Sequence, residues 1–225
     1  MASIAVRYES VRRQVADAAD ACGRRESDVT IVAVTKTVGV AEIKAALAAG
    51  IRDLGENRVQ EFQGKFGLFP EAHWHFVGTL QTNKVKDVVG KACLIHSVDS
   101  LRLLSHIERR AAERGVVQPV LLQVNIAREA SKHGFEPADL KDVLEEASHM
   151  DSLEVRGLMT MAPYARAEDV RWVFRALREL RDTLRASAPD GVELEELSMG
   201  MSGDFRVAVE EGATIVRIGR ALFGR

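Results

Sequence analysis

Short apolar segments alternate with longer segments of helical period along the whole chain of 225 residues. The short segments are apolar rather than strictly alternating, a pattern typical of parallel strands that are covered on both faces. We predict eight such strands: Thr30–Val34, Ile51–Leu54, Trp74–Val77, Leu94–His96, Pro119–Asn125, Leu153–Met159, Val192–Leu197 and Thr214–Ile218.

The intervening segments repeat apolar residues every three or four positions, which predicts helices that pack outside a sheet. One such stripe comprises Val170, Val173, Phe174, Leu177, Leu180 and Leu184. Gly115 is placed to end one helix, and Asp99 and Pro137 are placed to begin others. A further amphipathic segment, Val6–Ala21, precedes the first strand.

This order of elements predicts a single (β/α)8 barrel, a TIM barrel, with an extra N-terminal helix. A doubly wound open sheet is the alternative. No linker or change of composition divides the chain, so we predict one domain over residues 1–225. Both folds place ligands at the carboxyl ends of their strands, where Lys36, Asn57, Ser198 and Arg217 are expected.

Composition narrows the classes of partner. Lys and Arg number 31, Asp and Glu 33, and the net charge is −2, so the chain lacks the basic field that favours nucleic acid or anionic membranes. Cys22 and Cys93 are far apart, which argues against a disulfide framework or a zinc ribbon. We predict no membrane-spanning segment, a cytoplasmic location and a small-molecule ligand.

Lys36 offers an amine at the end of the first predicted strand. Such an amine can form a Schiff base with an aldehyde once it is partly neutral, a state that burial near other cations favours. The alternative is a lysine that leaves a strand with its ammonium group in water.

The segment Ser198–Ser202 is predicted to follow a strand and to precede a helix that begins near Asp204. Its hydroxyls and backbone N–H groups suit a phosphate, and Gly200 would let the chain turn and the anion approach. An ordinary helix cap, made by Ser202 or Asp204, is the alternative.

Arg217 interrupts the last predicted strand and requires an acceptor there. A carboxylate such as Glu195 or Glu196 would serve, and so would the neutral pyridine nitrogen of a ligand. Gly219 and Arg220 would add backbone N–H groups to a phosphate cradle. An amine, a phosphate cradle and an arginine together fit a site for pyridoxal phosphate (PLP).

Other candidates carry less weight. Asn57 leaves a strand and enters a helix, so it either caps the helix or reaches a ligand from the rim. His73 and His75 share one face of a strand, but no third ligand has suitable spacing, and we favour packing over metal binding. His96 and His133 are equally unsupported as ligands.

Six segments join these residues to their neighbours: Val32–Lys36, Gly55–Glu61, His75–Lys84, Leu158–Met161, Leu197–Asp204 and Thr214–Gly224. In this order they closely resemble the pyridoxal phosphate homeostasis protein family, single-domain relatives of the N-terminal barrel of alanine racemase. The likeness is nearly full-length. Six ordered motifs are far more specific than any one of them.

The resemblance implies a fold-type-III barrel with PLP as its cofactor and the following cofactor-binding residues: Lys36, Asn57, Ser198, Ser202, Arg217, Gly219 and Arg220. It implies that Lys36 carries the internal aldimine, that Ser202 helps to hold the phosphate, and that Arg217 faces the pyridine nitrogen. Many relatives have a small hydroxyl residue in place of Arg220, so only a backbone contact is implied there.

The resemblance also implies a role in PLP homeostasis, in which the protein holds the cofactor and releases it to PLP-dependent apoenzymes. An arginine opposite the ring nitrogen would make the ring a poor electron sink. Alanine racemases use a tyrosine base, whereas Tyr8 and Tyr164 lie in no matching motif. A weak amino-acid racemase is the alternative, and a barrel for another phosphorylated metabolite is a third hypothesis. We expect a monomer.

Overall fold

Eight parallel strands close into a barrel in the computed structural model, which describes residues 2–129, 133–189 and 192–224. The strands pair in chain order, and the last strand pairs with the first. They are β1 (Thr30–Val34), β2 (Asp53–Glu56), β3 (His73–Phe76), β4 (Leu94–Val98), β5 (Gln118–Gln123), β6 (Leu153–Met159), β7 (Glu196–Met201) and β8 (Ile215–Ile218). The predicted (β/α)8 barrel is confirmed, and the open-sheet alternative is excluded.

The helices connect these strands, and a helix also precedes the first strand, as predicted. They are α1 (Ile4–Asp20), α2 (Val40–Ala48), α3 (Val59–Phe66), α4 (Leu101–Arg114), α5 (Leu140–Ser148), α6 (Arg171–Arg185), α7 (Phe205–Glu210) and α8 (Arg220–Phe223). A 3₁₀ segment, Thr82–Asp87, takes the place of a helix between β3 and β4. None of the helices in the described ranges has the length and apolar character needed to cross a membrane.

The apolar stripe of α6 lies against the barrel, because Val173, Phe174 and Leu177 are completely buried. Full burial of such side chains contributes roughly 1.5–3 kcal/mol each, which explains why a helix with this many arginines still docks. The ends of α4 follow local chemistry. Gly115 ends it with a φ of 63°, whereas the cap at its start is Ser100 and not the predicted Asp99.

Two strands lie closer to the carboxyl end of the chain than predicted. The strand predicted at Ile51–Leu54 is Asp53–Glu56, and the strand predicted at Val192–Leu197 is Glu196–Met201. Pairing with the adjacent strands decides where each strand begins. In β7 the first residue, Glu196, pairs with Gly157 of β6. The polar residues at the ends of these strands therefore belong to the barrel wall.

The barrel interior contains a small apolar cluster and a polar layer. The apolar cluster comprises Val32, Leu94, Leu121, Met159 and Ile215. On β4 and β8, two residues beyond members of this cluster, the same face carries a histidine and an arginine. The interior is thus a packed core whose carboxyl side is polar.

Candidate functional site

Four adjacent strands, β7, β8, β1 and β2, and the loops that follow them carry all the predicted site residues: Lys36, Asn57, Ser198, Ser202, Arg217, Gly219 and Arg220. Arg217 opposes Val32, so Lys36 comes four residues later beyond the end of the neighbouring strand. The carboxyl end of this part of the barrel is the candidate site.

Lys36 is exposed, and its amine makes no hydrogen bond or ion pair with another residue in the described part of the chain. The burial expected for this lysine is therefore not observed. Thr37, the next residue, has a φ of 59° in the left-handed region, which is unusual for a β-branched residue. Such strain persists only where the surroundings impose it, and it is frequent at functional sites.

A cluster of charged residues, which we call the clamp, holds the backbone on both sides of Lys36. The clamp comprises Glu56, Glu61 and Lys65. The Lys65 amine donates to the Thr35 carbonyl at 2.8 Å and to Glu56 Oε1 at 2.6 Å, and the Thr37 N–H donates to Glu61 Oε2 at 3.0 Å. The clamp thus imposes the strained turn that presents Lys36.

The sequence predicts only part of the clamp. Glu56 and Glu61 belong to a recognised motif, but nothing singled out Lys65, which lies in a helix and is 13% exposed. The four-residue spacing between Glu61 and Lys65 was the available signal, because such pairs meet on a helix surface. Burial raises the pKa of Glu61, but its bonds to the Thr37 N–H and Lys65 lower it further, for a net decrease.

Arg217 lies inside the barrel wall and is 5% exposed. Its guanidinium donates to Ser198 Oγ at 2.6 Å and to the Thr160 carbonyl at 2.9 Å. Burial lowers the pKa of Arg217 to about 10, while the charge of Asp204 raises it. The guanidinium therefore remains charged at neutral pH, and it has N–H groups beyond these two bonds.

Neither carboxylate considered as a partner for Arg217 fulfils that role. Glu196 accepts a hydrogen bond from the Thr214 hydroxyl, and Glu195 forms an ion pair with Arg185 at 3.4 Å. Arg217 instead donates to the hydroxyl of Ser198. Ser198 lies within β7, whereas the predicted strand ended one residue earlier, at Leu197.

The segment that ends in Ser202 approaches the start of α8. Ser202 Oγ accepts a hydrogen bond from the Ala221 N–H at 3.2 Å, which places the hydroxyl beside the Gly219–Arg220 backbone. The Arg220 side chain is exposed, in agreement with a backbone role. The structure thus brings together the parts of the predicted phosphate cradle.

The helix-cap alternative holds for Ser202, whose Oγ accepts from a first-turn N–H of α8, but not for the start of α7. Asp204 precedes α7 but makes no cap hydrogen bond to it; its carboxylate accepts from the Met201 N–H at 2.6 Å. Gly200 has a φ of 91°, and a Cβ there would come within 2.6 Å of the Ala208 side chain. Close packing against α7, rather than approach of an anion, is what requires this glycine.

Two buried oxygens at the end of β2, Glu56 Oε2 and Asn57 Oδ1, have no hydrogen-bond partner within the described ranges. An unpaired buried acceptor costs about 1–3 kcal/mol. Donors from a ligand or from water would satisfy them, so the site has unused hydrogen-bonding capacity next to Lys36. The amine, the charged arginine, the hydroxyl beside backbone N–H groups and these acceptors fit PLP.

Behind this site, a series of hydrogen bonds crosses the barrel. His75 Nδ1 lies 2.9 Å from His96 Nε2, and His96 Nδ1 lies 2.8 Å from Ser198 Oγ. His75 Nε2 also lies 3.2 Å from Asp53 Oδ1. The packing role predicted for the histidines is therefore incomplete. Within the described residues, no three ligating side chains are grouped to hold a metal ion.

Known proteins resemble this chain over nearly its whole length. Residues 6–225 match the family described as alanine racemase, N-terminal domain. A pyridoxal phosphate homeostasis protein of Aquifex aeolicus is 46% identical over 221 residues, which cover 97% of this chain and 96% of that relative. One from Pseudomonas aeruginosa is 39% identical and covers 100% of this chain and 96% of its own length. The chain belongs to the pyridoxal phosphate homeostasis protein family.

Solved structures extend the comparison. PipY of Synechococcus elongatus, a structure without PLP, superposes with a TM-score of 0.88 at 39% identity, over 98% of this chain and 100% of PipY. The structure of PipY with PLP bound gives 0.85 at 38% identity, with the same coverage. Alanine racemase of Clostridium difficile, at 16% identity, 0.73 and 59% of its length, shares the fold alone.

Proposed function

We propose that this protein binds pyridoxal phosphate through Lys36 and releases it to PLP-dependent apoenzymes. One observation carries the proposal: an exposed lysine amine stands on a clamped turn, next to the strand that holds a buried, charged Arg217. Membership of the homeostasis family and the PLP-bound structure of PipY support the same assignment.

Each part of the site has a distinct task. PLP supplies an aldehyde that joins reversibly to an amine, and a ring that withdraws electrons most strongly when its nitrogen is protonated. The exposed amine of Lys36 is accessible for attachment and for exchange with another amine. Ser202 and the N–H groups of the Gly219–Arg220 backbone hold the phosphate, and Asn57 supplies a buried acceptor.

Arg217 determines the protonation state of the ring nitrogen. Its guanidinium donates and cannot accept, so a nitrogen opposite it keeps its lone pair as the acceptor and stays unprotonated. Holding the cofactor is favoured over withdrawal of electrons from an attached amino acid. Tyr8 is also poorly placed to act as a racemase base. It lies on α1, near the charges of Arg12, Glu26 and Asp53, and not at the end of β1.

The experiment that tests this function is borohydride reduction of the PLP-loaded protein, followed by peptide mass analysis. The wild type should absorb visible light and carry the reduced adduct on Lys36. Lys36→Ala should lose the adduct and remain folded, because an exposed side chain contributes little to stability. Lys44→Ala, which removes an exposed lysine on α2, is the matched control and should retain the adduct.

Other outcomes would replace the proposal. A reduced adduct on a different lysine would move the site, and a wild type that never becomes modified would leave a barrel for another phosphorylated metabolite. Release should appear as activation of an apoenzyme mixed with the loaded protein. Exchange of the α-hydrogen of amino acids for deuterium, well above the rate with free PLP, would indicate a racemase instead.

A further inference from the structure

The hydrogen bonds behind the site form one continuous path, which we call the interior relay. Its members are Asp53, His75, His96, Ser198 and Arg217. The path begins at the first residue of β2, at the amino end of the barrel, and finishes in the wall below the candidate site. Its contacts measure 3.2, 2.9, 2.8 and 2.6 Å in that order.

Burial makes the relay a costly feature of a barrel core. His96 and Ser198 are completely buried, and His75 and Arg217 are each 5% exposed. An apolar filling would serve packing alone, since buried polar groups stabilise only when every one of them is bonded. The Asp53 carboxylate, at 29% exposure, is the end that solvent can reach.

The two charged ends determine where the hydrogens lie. Arg217 can only donate, so Ser198 Oγ accepts from it and has one hydrogen to give. An ionised Asp53 can only accept, so His75 Nε2 donates to it. With both histidines neutral, His75 Nδ1 then accepts from His96 Nε2, and His96 Nδ1 accepts from Ser198. Every donor in the relay therefore points from the arginine toward the aspartate.

The surroundings favour a neutral His96 and an ionised Asp53. Burial, together with the charge of Arg217, lowers the pKa of His96 well below its usual value, so His96 is neutral. Burial raises the pKa of Asp53, but the hydrogen bonds that it accepts from His75 and His73 contribute to a net decrease. Tyr8 and Cys93 also face Asp53 electrostatically, and Asp204 faces Arg217.

We propose that Asp53, His75 and His96 are positioning residues for the site: they fix the direction of the Ser198 hydroxyl and thereby hold Arg217 in place to donate to the ligand ring. If the relay were reversed, Ser198 would accept from His96, and its own hydrogen would be free to turn toward the ligand. The relay thus selects a site that presents the arginine as its donor. This inference rests on the proposed function only for the identity of the ligand.

The test is the tautomeric state of the histidines, read by nitrogen NMR on the full-length protein before PLP is added. In the wild type, His96 should carry its proton on Nε2 and none on Nδ1. Asp53→Asn should give a mixture of tautomers, because an amide at this end can donate as well as accept. Asp53→Glu, which restores the carboxylate, should recover the wild-type pattern.

His73→Gln is the matched control, because His73 contacts Asp53 at 3.2 Å but takes no part in the path. It should leave the tautomer of His96 unchanged. If Asp53→Asn fails to fold, His75→Gln tests the same step, because it removes the imidazole that sets the donor on His96. A wild-type His96 with its proton on Nδ1, or an unchanged tautomer in the folded variant, would overturn the inference.

A second measurement then adds PLP and records its absorption spectrum and dissociation constant. Asp53→Asn should shift the spectrum and weaken binding about fivefold, roughly the effect of one misdirected hydrogen bond. An altered tautomer with unchanged spectrum and affinity would also overturn the positioning role. Failure of the wild type to bind PLP would remove the proposed function, while the tautomer result would stand by itself.

Discussion

The two sides of the candidate site differ in their exposure to solvent. The lysine side, formed by Lys36 and the clamp, presents an exposed amine on a strained turn that the clamp holds from below. The arginine side, formed by Ser198 and Arg217, is buried in the barrel wall and bonded to the interior relay. In the proposed function, the first side attaches the ligand and must be accessible, whereas the second donates to the ligand ring from a fixed orientation.

This difference predicts how each side fails. An exposed side chain has no packing to lose, so its removal should affect chemistry and spare stability. A buried charge is held by a few directional bonds, so its replacement should affect both. The strain on the lysine side belongs to the backbone and is separable from the amine that the turn presents.

The largest expected effect is that of Arg217→Glu. This change places a carboxylate near Asp204 in the barrel wall and leaves the Thr160 carbonyl without its donor. Urea unfolding should show a loss of about 3–5 kcal/mol, against less than about 0.5 kcal/mol for Lys36→Ala. Equal losses for the two variants would contradict the division into a buried side and an exposed side.

The clamp should have an intermediate effect. Glu56→Gln keeps the shape but removes the completely buried charge that accepts from Lys65. Hydrogen bonds to charged groups contribute about 1.5–3 kcal/mol, so the free energy of unfolding should fall by about 2 kcal/mol. Glu113→Gln, at the exposed pair with Arg110, should change it by less than about 0.5 kcal/mol. If Glu56→Gln left the free energy of unfolding unchanged, Glu61 would suffice to hold the turn.

Mild acid should lower the free energy of unfolding through the arginine side, at a pH above the range in which carboxylates take up protons. His96 has a lowered pKa in the folded state, so below about pH 6.5 the unfolded chain binds a proton that the folded chain does not. Stability should therefore decrease as the pH falls from about 7 to 5, by at most about 1.4 kcal/mol per pH unit for this one proton.

The control for this effect is His96→Gln, which removes the titrating group. Its unfolding free energy should change less over the same pH range, whatever its value at pH 7. Chemical unfolding at several pH values measures both slopes. Parallel slopes would show that another group is responsible.

The smallest expected effect concerns the strain itself. Thr37→Asn places a residue that tolerates the left-handed region at the turn, and it should raise the free energy of unfolding by about 0.5–1 kcal/mol. Arg128→Asn relieves a positive φ of 52° at another non-glycine residue, outside the site, and should give a similar gain. Thermal unfolding measures both. A loss of stability in Thr37→Asn would show that the threonine side chain contributes more than the strain costs.

Much of this molecule is determined by its local sequence. The bounds of β1 and β6 agree with the prediction to the residue, and the stripe of α6 identifies the face that it buries. The residues Lys36, Ser202 and Arg217 are recognisable because few ligands require an amine, a phosphate cradle and a buried cation together.

Contacts between distant segments decided the rest. Ser198 and His96 are separated by 102 positions yet lie 2.8 Å apart, and no local pattern reports such a pair. The start of β7 at Glu196 follows from its pairing with Gly157, and the role of Lys65 follows from its reach to Thr35. The sequence by itself therefore determined the fold class and named the candidate residues Lys36, Ser202 and Arg217. Only the tertiary structure decided which polar groups are buried together, because closing the barrel brings side chains from opposite walls into a space without water, where each must find a partner.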